Sequence, residues 1–85
     1  MEKIVKCLLL KNNLVLVSEV IEIDSELGQP DCKLINPCVL DQSTFEITPW
    51  LLFTDQVEIL IRSDDVLTLV DPNQKIIDNY LSKIN

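Results

Sequence analysis

Arg62 is the sole arginine of the chain, set in Ile61-Arg62-Ser63-Asp64-Asp65-Val66 between two apolar runs. A guanidinium at such a corner is a binding residue, a structural tie that holds nearby carboxylates such as Asp64 and Asp65 through its N–H fork, or an accident of composition. The adjacent aspartates look like a carboxylate pair, yet neighbours in a turn are as a rule simply solvated. No histidine is present, which removes Ser-His and Cys-His nucleophiles. A single glycine, Gly28, rules out a glycine-rich phosphate cradle. Cys32 and Cys38 are six positions apart, not a zinc-knuckle spacing, and no other ligand pair accompanies them. The sequence therefore reads as non-catalytic, with no metal and no cofactor.

The elements that position Arg62 are short. Lys3-Ile-Val-Lys-Cys-Leu-Leu-Leu10 is strand-compatible and stops at Lys11-Asn12-Asn13, where asparagine tolerates positive φ and a tight hairpin follows. In the next run Glu19 and Ile21 share one face and Val20 and Glu22 the other. Such a pattern predicts a long strand that bends and changes which face is covered. Ser25–Asp31, with Gly28 and Pro30, is the clearest loop. In Cys32–Leu40, Pro37 places the strand at an edge, makes a bulge, or ends it near Asn36. Phe45–Phe53 alternates, with Phe45, Ile47, Pro49, Leu51 and Phe53 on one face. Trp50 beside it reads as core or oligomer interface first, and as a stacking platform for a base second.

Val57–Arg62 and Val66–Val70 supply the last strands around the Ser63-Asp64-Asp65 turn. Their spacing, without helices between them, indicates an antiparallel sheet curled into a barrel. The final segment differs. Asp71 as N-cap, Pro72 in the first helical position and Ile76, Ile77, Tyr80, Leu81 and Ile84 at helical spacing predict an amphipathic helix over about 72–84. It would pack on the barrel or on a neighbouring subunit.

The chain has 85 residues, enough for one domain, 1–85, with the barrel over about 3–70. At 47% hydrophobic residues it carries more apolar side chain than one small core hides, so self-association is expected. Fourteen acidic against seven basic residues give a net charge of −7, which repels phosphate backbones at long range. Cys7, Cys32 and Cys38 lie in or beside apolar runs, as free buried thiols do. No secretory leader pattern and no run of spanning length is evident. A reduced, cytoplasmic setting without membrane contact is expected.

The strand order, the chain length and the Ile61–Val66 motif resemble the Sm-like family (Sm, LSm and Hfq proteins) over Lys3 to about Val70. The family's second motif runs Ile-Arg-Gly, a polar residue, then Asn; here Ser63 stands for the glycine and Asp65 for the asparagine. Leu10–Asp24 is similar to the first hairpin of its first motif, with the longer Ser25–Leu34 segment in place of the Asn-bearing loop. The Ile35-Asn36-Pro37 strand and the Asp71-Pro72 helix start are similar to short Sm-like proteins of phage and marine metagenomic origin. The resemblance implies an all-β, small, strongly bent five-stranded (SH3-like) barrel with a short C-terminal helix. It departs from the family in having no helix before Lys3.

The same resemblance implies a homo-oligomeric ring of five to seven subunits that binds single-stranded RNA at its pore. It gives Arg62 the base-stacking role, with Ser63, Asp64 and Asp65 beside it. The charge speaks for a second reading, a ring-forming scaffold or protein-interaction module in which Arg62 is a charge tie. At −7 per chain, five to seven copies carry about −35 to −49.

Overall fold

The tight turn expected at Lys11-Asn12-Asn13 sets the first register. In the computed structural model, which describes residues 4–84, Asn13 has φ 68°. The Asn12 side-chain oxygen accepts the Leu14 N–H at 3.0 Å. Asparagine holds this left-handed conformation with little strain. The turn joins β1 (Val5–Leu10) to β2 (Val15–Glu22) as an antiparallel pair. The domain limits at 1 and 85 and the barrel start at Lys3 lie outside the described residues.

β3 (Cys32–Leu40) pairs antiparallel with β2, and Pro37 decides how. Val17 faces Cys38 and Glu19 faces Ile35, so Asn36 and Pro37 together oppose Ser18 alone. This is a β-bulge, with Asn36 at φ 53° and the missing proline N–H placed where the ladder is already interrupted. The extra residue shifts the side-chain alternation. Leu34 and Val39, five positions apart, consequently contribute to the same core. The change of covered face expected along β2 is centred on Ser18.

The outer edge of β3 is divided at the bulge. Cys38–Leu40 pairs with β4 (Ile47–Pro49), and Cys32–Ile35 pairs with β5 (Glu58–Ile61). A 3-10 turn (Ser63–Asp65) leads into β6 (Val66–Val70), which pairs with β1. The sheet thus has six strands in the order β4-β3-β2-β1-β6, with β5 also on β3. It is open: β5 pairs with β3 and β6 with β1, not with each other.

A five-stranded barrel was the expectation from the resemblance; the sheet has six strands, as many as the sequence has strand-compatible runs, and it is not closed. Phe45 and Leu51 sit at φ 61° and 56°, conformations that break a strand. Only Ile47–Pro49 remains extended in the sheet, and Leu52 and Phe53 are left in solvent. β5, within the strand expected over Val57–Arg62, takes the rest of the β3 edge.

Each face of the sheet has its own core. Cys7, Val17, Cys38 and Ile47 pack with Ile76 and Tyr80 of the C-terminal helix. Leu8, Leu10, Leu16 and Leu34 pack with Trp50, Ile61 and Val66. Two covered faces explain why β1 reads as a continuous apolar run. Burial raises the Cys7 and Cys38 thiols above their ordinary range, which keeps them protonated and inert.

The helix α1 (Gln74–Ile84) carries the expected stripe, with Ile76 and Tyr80 buried and Ile77, Leu81 and Ile84 half-buried. Its start is shifted from the expected 72. Asn73, not Asp71, is the cap: its Oδ1 accepts the Ile76 N–H at 3.0 Å. Asp71 pairs instead with Lys6. Among the described residues no helix is long and apolar enough to cross a membrane.

Tyr80 is fully enclosed. Its hydroxyl donates to Ile35 O at 2.9 Å and accepts the Glu19 N–H at 3.2 Å, directly across the bulge. Burial pushes its phenol up to about 12, from an ordinary 10.0. Folding therefore favours the protonated form, and that contribution is complete below pH 10 and lost as pH rises toward 12. Tyr80→Phe is expected to lower the unfolding free energy in urea by about 1–3 kcal/mol at neutral pH. The variant should also lack the wild type's additional loss between pH 10 and 12. Equal stabilities across that range would refute the bond.

Candidate functional site

Arg62 lies at the junction between β5 and the 3-10 turn, in an extended conformation (φ −92°, ψ 133°). The turn is closed by the Asp65 N–H donating to Arg62 O at 3.1 Å, and it is braced on the hairpin by the Lys11 N–H donating to Asp65 O at 3.0 Å. Arg62 is half-exposed, and its Nη2 lies 3.1 Å from Asp64 Oδ2. An exposed pair of this kind contributes about 0–1 kcal/mol. It orients the guanidinium more than it stabilises the fold.

The loop expected over Ser25–Asp31 folds back onto this turn. Gly28, at φ 87°, completes a bend in which the Gln29 N–H donates to Glu26 O at 3.0 Å. The loop returns with the Asp31 N–H donating to Ile61 O at 3.2 Å. Asp31 then clasps Ser63 twice, accepting its backbone N–H at 2.7 Å and its hydroxyl at 2.6 Å. These two bonds, the side-chain one first, hold the Asp31 carboxyl below its ordinary 3.8, and the Arg62 charge adds to the effect.

The result is a hollow of about 240 Å³ between the loop and the turn, lined by Ser25–Gln29, Asp31 and Arg62–Asp64. Three of the four residues expected at the site are therefore together: Arg62, Ser63 and Asp64. Asp65 is not with them. It lines a separate hollow of about 280 Å³ with Lys11, Asn12 and Trp50, because successive residues of a 3-10 turn point in different directions. Trp50 itself packs against the inner core, its N–H held by Pro37 O at 3.0 Å.

Asp31 is the residue the sequence does not point to. Nothing in Pro30-Asp31-Cys32 indicates a partner 32 positions away, and only the pairing of β3 with β5 brings it to Ser63. Chemically the hollow offers one guanidinium against the carboxylates of Glu26, Asp31 and Asp64. It can take a planar, hydrogen-bond-donating group on the exposed side of Arg62. It disfavours a bare phosphate.

Comparison with known proteins adds one match. A family of unknown function, DUF6561, matches residues 3–85. No curated protein matches the chain.

Because the Asp31 clasp holds the carboxylate form, its contribution is present above pH 3.8 and is lost as pH falls through the lower folded-state value. The Ser63 amide proton resonance is expected to titrate with a midpoint below 3.8 in the wild type. It should show no such transition in Asp31→Asn. A midpoint at or above the ordinary value would refute the clasp.

Proposed function

The chain belongs to the DUF6561 family, and we propose that it is a ring-forming Sm-like module that works as a structural and protein-interaction scaffold. The observation that carries this reading is the pair of unlike strand edges on either side of one turn. β5 is paired by β3 and β6 by β1, and each offers its other edge. Leu60 on β5 and Leu67, Leu69 and Val70 on β6 are exposed large apolar side chains beside those edges. Unpaired edges are a template for another copy. Because the two edges differ, the contact between copies would be head-to-tail, which makes a ring where the rotation closes. Five to seven subunits is the size the Sm-like resemblance implies, and the bent, two-core sheet is compatible with that family's barrel. Three free thiols suit a reducing, cytoplasmic setting.

One observation favours a second reading, single-stranded RNA at the ring pore. The β2–β3 loop meets Arg62, Ser63 and Asp64 in one hollow, the convergence an Sm-like base site needs. In that reading Arg62 stacks on a base and the carboxylates accept from its edge, with Asp65 braced behind the turn. The net charge of −7 favours the scaffold.

Light scattering under native conditions is expected to give a mass of five to seven chains; a monomer would sink both readings. Arg62→Ala should leave that mass unchanged, since Arg62 is tied within its own turn. On filters, oligouridine and oligoadenine are expected not to be retained even at low salt. Retention by the wild type that disappears in Arg62→Ala would establish RNA binding instead.

A further inference from the structure

Leu52 and Phe53 are 81% and 85% exposed, two large apolar side chains side by side in solvent. The left-handed turn at Leu51 (φ 56°) precedes them, so the backbone holds them out as a knob. No charged residue occurs from Thr48 to Thr54. On the far side of the sheet path, Ile4, Lys6, Val20, Ile21, Glu22 and Leu69 line an open hollow of about 340 Å³. The charged residues of this lining are Lys6, which pairs with Asp71, and Glu22.

We infer that the Leu52–Phe53 knob of one copy seats in the Ile4–Val20–Ile21–Leu69 hollow of the next. The inference rests on the edge-to-edge assembly proposed above and supplies its side-chain contact. Three observations commit the hollow to a second copy.

The first is direction. Every pairing in the sheet is antiparallel. If β5 of one copy adds antiparallel to β6 of the next, the residues before Glu58 are carried past Val70, the end of β6 that borders the hollow through Leu69. Phe53 precedes Glu58 by five residues, a reach of up to about 17 Å in extended chain. A parallel addition would carry the knob to the opposite end of β6.

The second is area. A stable interface buries about 800 Å² per partner, more than a strand edge of four or five residues supplies. One aromatic side chain adds about 150–250 Å². The third is charge. Copies carrying −7 each repel where acidic faces meet, whereas the knob carries no charge for Glu22 at the hollow to repel.

Phe53→Asp is expected to raise the concentration at which the assembly half-dissociates at least tenfold, read by light scattering on dilution. The monomer's circular dichroism should not change, because Phe53 is exposed. A photoreactive benzophenone amino acid placed at Phe53 is expected to crosslink between chains, with the attached peptides containing Ile4, Ile21 or Leu69. A wild-type chain that stays monomeric overturns the edge pairing and this contact with it. An assembled chain whose crosslinks fall elsewhere, or whose dissociation Phe53→Asp leaves unchanged, overturns the knob-and-hollow contact alone.

Discussion

A buried backbone N–H or C=O without a partner costs about 1–3 kcal/mol, and the bulge at Ser18 interrupts a ladder that is buried on both sides. The Tyr80 hydroxyl spans the interruption, accepting from Glu19 N–H and donating to Ile35 O. Ser18 Oγ lies within reach of Glu19 O at 2.9 Å and Ile35 O at 3.2 Å, its one proton serving one acceptor at a time. No side-chain polar atom buried in the described residues is left without a partner. The phenol reaches this point from α1, so the bond ties the helix to this face of the sheet. The helix then covers Cys7, Val17 and Cys38, which would otherwise be an exposed apolar face. Asn73 and the Lys6–Asp71 pair fix its approach from the end of β6.

The same bulge governs the other edge of β3. Its bend gives β3 two differently directed halves, so one strand serves β4 after Pro37 and β5 before Asn36. The backbone bonds that bracket the change are Asn36 N–H to Val57 O at 2.7 Å and Trp50 N–H to Pro37 O at 3.0 Å. With β5 held on the first half of β3, its end reaches Asp31, and the clasp on Ser63 follows. The candidate hollow thus depends on the bulge at Asn36 and Pro37, which lie outside its lining. Its geometry comes from backbone hydrogen bonding together with the Asp31 side-chain clasp on Ser63.

Much of this was legible because the signals were local. The Asn12-Asn13 turn, the helical stripe through Ile76 and Tyr80, and the disruption at Pro37 are each written in a few neighbouring residues. What was not legible depended on distant partners or on backbone angles. Alternation in Phe45–Phe53 is the pattern of a half-buried strand, yet the positive φ of Phe45 and Leu51 overrides it. Asp71 and Asn73 are both competent caps, and Lys6, 65 positions away, engages Asp71. The Arg62 corner stood out in the sequence as a candidate, but its Asp31 clasp and the separation of Asp65 required the tertiary pairing.

The exposed apolar residues set the remaining balance. Leu52, Phe53, Leu60, Leu67, Leu69 and Val70 are all placed by the local geometry of one region, the β4–β5 connection and the two strands that flank the turn. Burying them inside the monomer would require β5 and β6 to meet, and each is already held by a different inner strand, β3 and β1. Leu60, Leu67, Leu69 and Val70 lie on the two strands that keep an unpaired edge, and under the proposed assembly a neighbouring copy would cover them. The net charge opposes that step through long-range repulsion, but salt screens it beyond about 8–10 Å, while apolar contact and strand pairing act at closest approach. Under the proposed assembly, acidic surface and apolar edge would have separate effects: the first discourages indiscriminate association, and the second would specify the contact between copies.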